Sequence, residues 1–291
     1  MPRSKSENYM KKRFFQDQVV IVTGASAGIG KSLALQLADQ GAWIVLAARR
    51  QDRLEQVAVE CRNRGGKALA IPTDVANEAQ CKALIEQTIQ EFGRLDMLIN
   101  NAGFTAVSLF EELPNLDLFK QTVDVNFYGN VYPTYYALPH IKRNQGRIVS
   151  VSSLGAKLAL PGNSSYSAGK FAANGFYDSL RIELARDGVS ITIIYPYWVV
   201  SEFHESMLDK YGKPYGKKGR KIYTERMMTA EQCAQVVLKS AAKRKREVLM
   251  GPGALALWAK LIMPRLVDRI IVKFLFKPAS SRVRKDESHS R

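Results

Sequence analysis

The run Gln18-Val19-Val20-Ile21-Val22-Thr23 leads directly into Gly24-Ala25-Ser26-Ala27-Gly28-Ile29-Gly30 and then into a helical pattern from Lys31 to Gln40. A short β-branched segment of this kind reads as a strand buried on both faces. Glycines at three positions of the following turn permit tight chain reversal and close backbone approach. The helix N-terminus beyond them presents N–H groups to an anion. The unit alone could be no more than a tight turn between a strand and a helix. Its spacing, G-x-x-x-G-x-G, differs from the commoner G-x-G-x-x-G.

The same alternation continues along the chain. Strands are expected at 43–48, 67–72, 95–100, 146–152 and 189–195, with a short one at Val248-Leu249-Met250. Helices are expected at 52–64, 77–92, 116–143, 164–186 and 230–243. Repeated βα units predict an α/β fold built on a doubly wound parallel sheet. With 291 residues and 46% hydrophobic content the chain can bury a full core. No Pro- or Gly-rich linker divides it. The expected organisation is therefore a basic N-terminal tail at 1–15, one catalytic domain at 16–253, and an amphipathic, basic C-terminal extension at 254–291.

A second constellation lies in the middle of the chain. Tyr166 and Lys170 are four residues apart in a predicted helix, and four steps of about 100° put both on one face. A phenol has a reference pKa of about 10 and transfers protons poorly near neutrality. An ammonium beside it favours the phenolate and is expected to lower that value. Ser153 follows the apolar strand 146–152, where a hydroxyl can meet the phenol. Tyr-x-x-x-Lys by itself fits a solvated helix face equally well.

The end of the second strand bears on the ligand. A carboxylate about twenty residues beyond such a glycine loop binds ribose hydroxyls, whereas Arg accommodates a 2′-phosphate. The sequence there is Ala47-Ala48-Arg49-Arg50. Guanidinium groups match phosphate geometry, so NADP(H) is preferred over NAD(H), with Ser26 as a further hydroxyl contact.

Taken together, residues 17–250 resemble the short-chain dehydrogenase/reductase family. The resemblance rests on Thr23-Gly24-x-x-x-Gly28-x-Gly30, Asp74, Asn100-Asn101-Ala102-Gly103, Asn126, Ser153, Tyr166 and Lys170. It implies a single Rossmann-type domain that moves hydride between a nicotinamide and a carbonyl or alcohol. Carried over by position, it gives Tyr166 the acid–base role and Ser153 the orientation of the substrate oxygen. Lys170 would bind the nicotinamide ribose, and Asn126 would hold a water of the proton relay. Cofactor contacts would come from Gly24, Ser26, Gly28, Ile29, Gly30, Arg49, Arg50, Asp74, Val75 and Asn101 to Gly103. Beyond the sixth strand, Pro196, Val199 and Ser201 would complete the cleft. Two departures stand out: Tyr197 where the family usually has glycine, and Ala27 where many NADP-preferring members carry a basic residue. The cofactor preference consequently rests mainly on Arg49.

Charge and composition narrow what remains. Forty-three Lys and Arg against 27 Asp and Glu give a net charge of +16, which suits an anionic surface or ligand. From Lys239 onward there are fourteen Lys or Arg and four Asp or Glu. Leu255 to Phe276 is amphipathic, with Lys260, Arg265, Arg269 and Lys273 flanking its apolar positions and Pro264 expected to split it. Such a helix can lie in a membrane interface, pack on the enzyme's own core, or contact another subunit. The segment 202–228 interleaves Tyr211, Tyr215 and Tyr223 with Lys217, Lys218, Arg220 and Lys221, and reads as a solvated lid or an acidic-group contact. Cys61, Cys81 and Cys233 show no metal or disulfide spacing, so no metal is expected. No nucleic-acid motif is present. No secretory signal and no run of about eighteen apolar residues occur. The expectation is a cytoplasmic homo-oligomer (dimer or tetramer), with peripheral contact to anionic membrane through the extension. It would reduce a hydrophobic, lipid- or steroid-like ketone or aldehyde. The competing expectation is a membrane-peripheral scaffold that keeps the fold and the nucleotide but turns over little.

Overall fold

A computed structural model describes residues 13–216, 227–251 and 253–275. Strands β1 (Val19–Thr23), β2 (Trp43–Ala48), β3 (Lys67–Pro72), β4 (Met97–Asn100), β5 (Arg147–Val151), β6 (Ser190–Tyr195) and β9 (Glu247–Leu249) form one sheet. Its order is β3-β2-β1-β4-β5-β6-β9, and every pairing is parallel. The chain leaves β3 at one edge and returns beside β1, so the strand order reverses between β1 and β4. In open sheets of this type, ligands bind at that switch point, outside the carboxyl ends of the strands.

Helices α1 (Gly28–Ala38), α2 (Gln51–Asn63) and α8 (Ala230–Ala242) lie on one face. The other carries α3 (Glu78–Phe92), α5 (Gly129–Arg143) and α6 (Ser164–Glu183). Because side chains alternate along a strand, Val20 and Val22 enter the first layer's core with Leu33, Leu37 and Val237. Val19 and Ile21 enter the second with Leu84, Ile141 and Tyr177. Both faces are therefore covered, which explains the unbroken apolar run Val19 to Val22 in β1. Local signals set the ends of the helices. Asn77 caps α3 by accepting from the Gln80 N–H at 3.1 Å, and Gly93 closes it at φ +71°. Thr229 and Gln232 form a reciprocal capping box at α8.

Two expectations need correction. The predicted helix 116–143 is three pieces: α4 (Asp117–Val123), a π-turn at Asp124–Tyr128, and α5. Phe15, placed at the end of the basic tail, is only 1% exposed and belongs to the first core layer. Pro264 does split the C-terminal stretch, as expected, into α9 (Gly253–Ile262) and α10 (Pro264–Leu275). Beyond β6 lie the short elements β7 (Val199–Val200), α7 (Phe203–Ser206) and β8 (Met228–Thr229), of which β7 and β8 pair. Among the described residues, no helix is long and apolar enough to cross a membrane.

Asp96 joins the starts of β1 and β4. Its carboxylate accepts from the Val19 N–H at 2.9 Å and from Arg94 at 2.7 and 2.9 Å. Removing it leaves a fully buried N–H at the central strand without a partner. Asp96→Ala is expected to lower the unfolding free energy by about 2 kcal/mol. Urea denaturation checks this, and a change below ~0.5 kcal/mol, typical of an ordinary surface site, would contradict the linking role.

Candidate active site

The carboxyl ends of β1 and β4 are stitched together by Thr23. Its hydroxyl accepts from the Asn101 N–H at 2.9 Å and the Ala102 N–H at 3.0 Å, while the Asn101 side chain donates back to the Thr23 carbonyl at 2.9 Å. Gly24 and Gly28 hold φ of +67° and +53°, a region open to glycine at no steric cost. Gly30 is needed for another reason. A Cβ there would lie 2.2 Å from the Gly24 carbonyl oxygen and 2.7 Å from the Asn101 side chain. The first turn of α1 thus approaches the loop as closely as backbone allows. Ala27 supplies no side-chain cap and no acidic residue lies in that turn. Its first N–H groups, with Ile29 beside them, therefore have neither a side-chain cap from Ala27 nor an acid in the first turn. In this arrangement a helix N-terminus can take an anion.

Arginine side chains from the β2–α2 connection and from α2 gather beside this loop. Arg50 donates to the Ser26 hydroxyl at 3.2 Å, and Arg53 pairs with Glu202 at 2.6 Å. Burial pulls the Arg50 guanidinium below its usual range, with further lowering by Arg53 and Arg49, partly offset by Glu202. Arg50 thus has two neighbouring cations, Arg53 and Arg49, and one acid, Glu202, acting on it, which leaves the site short of negative charge. Asp74 and Val75 follow β3. The Asp74 carboxylate accepts from the Ala76 N–H at 3.0 Å, and buried Val75 packs against Gly129.

Ser153 sits just past β5. Its hydroxyl accepts from the Gly155 N–H at 3.1 Å, which holds a short turn at Leu154–Ala156. It also hydrogen-bonds the Tyr166 phenol. Tyr166 and Lys170 occupy one face of α6, and the Lys170 ammonium lies 5.8 Å from the centre of the Tyr166 ring. Lys170 is 4% exposed and donates to the Val151 carbonyl at 3.2 Å. Here the electrostatics depart from expectation. Burial holds the phenol above its usual value, and the Ser153 hydrogen bond only partly counters this. Burial also brings the Lys170 ammonium down to about 8. The ammonium is directed at a backbone carbonyl, and the phenol's shift is set by desolvation rather than by that neighbour.

Asn126 lies within the π-turn. Its amide donates to the carbonyls of Phe104 and Thr122, at 2.7 and 2.8 Å. These bonds accompany the widened turn that breaks the predicted helix, since a side chain takes a carbonyl that the helix ladder would use. The buried Oδ1 accepts no hydrogen bond from the described residues. A Cβ on Gly103 would lie 2.9 Å from that oxygen and 3.4 Å from the Lys170 ammonium. Asn126 and Lys170 therefore converge on the backbone at Gly103.

The segment after β6 covers these groups. The Pro196 carbonyl accepts from the Leu154 N–H at 3.1 Å, and Val199 is buried. Ser201 lies against Gly28, where a Cβ would meet it at 3.2 Å. The Phe203 ring is 6.3 Å from Tyr166, and His204 stacks on Trp198 at 5.5 Å. The Leu208 N–H donates to the Thr105 carbonyl at 3.0 Å and the Val107 N–H to the Leu208 carbonyl at 2.8 Å, tying this segment to the loop after β4. Tyr197, the departure from glycine, is half exposed and leans on Gly251. Lys217, Lys218, Arg220, Lys221 and Tyr223 lie outside the described residues.

A buried polar cluster behind the site escaped sequence reasoning. The Asn100 amide donates to the Tyr177 hydroxyl at 2.7 Å and to Thr134 at 3.0 Å. The hydroxyls of Tyr177 and Ser150 both donate to the Asn130 side-chain oxygen at 3.2 Å. The Asn130 amide donates to the Asn126 carbonyl at 2.9 Å, so the cluster ends on the π-turn. Asn174 accepts from Ser152 at 3.1 Å and donates to the Ala156 carbonyl at 3.3 Å, bracketing the Ser153 loop. One signal was available: Tyr166, Lys170, Asn174 and Tyr177 recur at helical spacing on the buried face of α6. Among the described residues, no group of His, Cys, Asp and Glu could hold a metal ion.

Residues 18–212 match the family model described as short chain dehydrogenase. An 11-beta-hydroxysteroid dehydrogenase of Pinus massoniana is 40% identical over 238 residues, 80% of this chain and 67% of that protein. An 11-beta-hydroxysteroid dehydrogenase-like 3 of Arabidopsis thaliana is 43% identical over 256 residues, 86% of this chain and 79% of that one. Among solved structures, an alcohol dehydrogenase from the archaeon Thermococcus sibiricus, complexed with 5-hydroxy-NADP, superposes with a TM-score of 0.70 at 26% identity. It covers 81% of this chain and 96% of its own. A short-chain type dehydrogenase/reductase from Mycobacterium marinum gives 0.73 at 27% identity, covering 84% and 98%.

Proposed function

The chain belongs to the short-chain dehydrogenase/reductase family, and from that premise we propose that it is an NADPH-dependent reductase of hydrophobic ketones and aldehydes. The observation that carries the proposal is the convergence of Ser153, Tyr166, Lys170 and Asn126 around one cleft beside a glycine cradle. Bound there, the nicotinamide supplies the hydride. The protein's own residues do the rest. The N–H groups at Gly28 to Gly30 would take the pyrophosphate, Asp74 and Val75 the adenine, and Lys170 the nicotinamide ribose. Asn101 to Gly103, Pro196, Val199 and Ser201 would wall the cleft. Ser153 and Tyr166 would both donate to the substrate oxygen as charge develops on it, and Tyr166 would pass its proton to that oxygen. A phenol held above its usual value by burial stays protonated near neutrality, which suits the reductive direction.

For the substrate, the support is the aromatic ring of Phe203 beside Tyr166, together with relatives whose names specify hydroxysteroids. A scaffold without turnover would have no use for a serine hydroxyl held beside a half-buried phenol. Exposed Tyr135 on α5 and Ile182 on α6 leave apolar surface for the expected subunit contact.

The preference for NADPH follows from the guanidinium cluster beside Ser26. A 2′-phosphate would relieve the mutual repulsion of Arg49, Arg50 and Arg53, and the bound ligand of the Thermococcus sibiricus structure is of that type. Replacing Arg49 and Arg50 together by Ala is expected to weaken NADPH by about 100-fold, the scale of two charge-assisted hydrogen bonds. NADH should change little. The test is NADPH and NADH affinity, alongside NADPH consumption with a panel of long-chain and polycyclic ketones. An unchanged preference would remove the 2′-phosphate assignment, and no turnover across the panel would remove the substrate class.

A further inference from the structure

The C-terminal hairpin of α9 and α10 keeps an apolar surface that the body of the protein leaves uncovered. Trp258, Leu261 and Ile262, at helical spacing on α9, are 65%, 76% and 73% exposed. Met263 at the bend, with Leu266 and Ile270 one turn apart on α10, is about half exposed, as they are. Only Val267 on α10 is buried among the described hairpin side chains. A hairpin that closed over its own core would hide these residues. Isolated exposed apolar side chains are ordinary, but six clustered on one small element mark a contact surface.

Charge selects the occupant. Residues 253–275 contain Lys260, Arg265, Arg269 and Lys273 against the single acid Asp268. A shallow depression of ≈ 390 Å³ between the helices is lined by Ile262, Met263, Pro264, Arg265, Leu266 and Arg269. Two guanidinium groups thus rim an apolar floor, as phosphate and acyl chain are juxtaposed at a bilayer surface. A second copy of the chain, at a net charge of +16, would bring like charges together across the same surface.

We infer that this hairpin docks on an anionic phospholipid bilayer, lying in the interface with Trp258, Leu261, Ile262 and Leu266 inserted and Arg265 and Arg269 on the headgroups. Neither helix spans the bilayer, at ten and twelve residues. Apolar insertion and headgroup attraction act together in such helices.

The hairpin also meets the catalytic loop. The Lys260 ammonium donates to the Lys157 carbonyl at 3.2 Å and lies 5.6 Å from the centre of the Phe171 ring. Lys157 is four residues beyond Ser153, and Phe171 follows Lys170 directly. A docked hairpin therefore holds the Ser153 side of the cleft next to the lipid surface, where a bilayer-dissolved ketone would enter. This delivery step rests on the reductase reading; the docking itself does not.

The test is co-sedimentation of the full chain with vesicles of phosphatidylcholine, and of equal parts phosphatidylglycerol and phosphatidylcholine. The expected result is binding to the mixed vesicles that weakens with salt. Replacing Arg265 and Arg269 together by Gln should weaken it about 30-fold, from roughly 1 kcal/mol per basic residue near an anionic surface. Replacing Leu261 and Ile262 together by Ser should abolish retention at high salt. Both double variants should keep full turnover of a short, water-soluble ketone. A long-chain ketone carried in the mixed vesicles should be reduced faster by the parent chain than by either variant. Failure of the parent to bind vesicles, or equal binding by the variants, would overturn the docking. So would loss of self-association, or of duplex DNA binding, as the sole effect of these substitutions, since it would assign the surface to a second copy or to nucleic acid. Vesicle binding without the gain on the carried ketone would overturn delivery. An absence of turnover even on soluble ketones would instead count against the reductase reading.

Discussion

Tyr166→Phe is expected to lower kcat/KM for carbonyl reduction by about 1,000-fold, within the span that a positioned proton donor contributes, while leaving the fold and cofactor affinity intact. The ring packs near Phe203 and Gly155, and phenylalanine keeps that packing. What disappears is the hydroxyl that meets Ser153 at the mouth of the cleft. The pH profile carries a second signature. In reduction the phenol donates a proton, and burial holds its pKa above the usual value, so it stays loaded through the neutral range. The Lys170 ammonium, brought to about 8, is charged below that pH and loses its charge above it. The reductive rate should therefore be level below about 8 and decline as pH rises through it. Lys170→Met should remove that break. A Tyr166→Phe enzyme within ~10-fold of the parent would place the proton donor elsewhere.

Gly30→Ala is expected to abolish cofactor binding over the accessible concentration range and to lower stability by about 2 kcal/mol, the usual cost of forcing a methyl into packed backbone. The added Cβ would sit 2.2 Å from the Gly24 carbonyl oxygen and 2.8 Å from its carbon. Neither atom belongs to a flexible side chain, and the Thr23–Asn101 hydrogen bonds hold that backbone in place. Relief requires opening the turn that presents the α1 N–H groups. Gly175→Ala on α6 is the matched control, because a Cβ there meets nothing within 4 Å. It should be neutral or stabilising, since alanine is the better helix former. Calorimetric titration with NADPH reads the difference, and parental affinity in Gly30→Ala would show that the close approach does not shape the cradle.

These two substitutions fall where the sequence was most legible, and for a physical reason. Strand ends, the glycine turn and the Tyr166–Lys170 pair depend on neighbours within a few residues, so periodicity and turn chemistry locate them. β2 runs over Trp43–Ala48 and β3 over Lys67–Pro72, the spans that β-branched and apolar runs indicate. The less legible features join distant parts of the chain. The Arg53–Glu202 pair spans 149 positions and the Asn100–Tyr177 bond 77. Likewise, Phe15 is buried through contacts its own neighbours do not announce. The π-turn required a side chain that takes two carbonyls, one of them 22 residues away. Desolvation of Tyr166 depends on groups brought from elsewhere in the chain, Phe203 and the turn at Gly155 among them, whereas helical spacing reports only the presence of Lys170. Helix spacing gives the proximity of the pair, whereas the direction of the phenol's shift is set by burial, which spacing does not report.

Isotope transfer gives the most direct test of reduction at this cleft. The purified chain is incubated with NADPH deuterated at the transferable position of the nicotinamide and with a hydrophobic ketone, and the products are weighed by mass spectrometry. One deuterium on the carbinol carbon of the alcohol for each NADPH consumed is the predicted result. NADPH bound but no labelled alcohol formed, with any ketone of the panel, would contradict it.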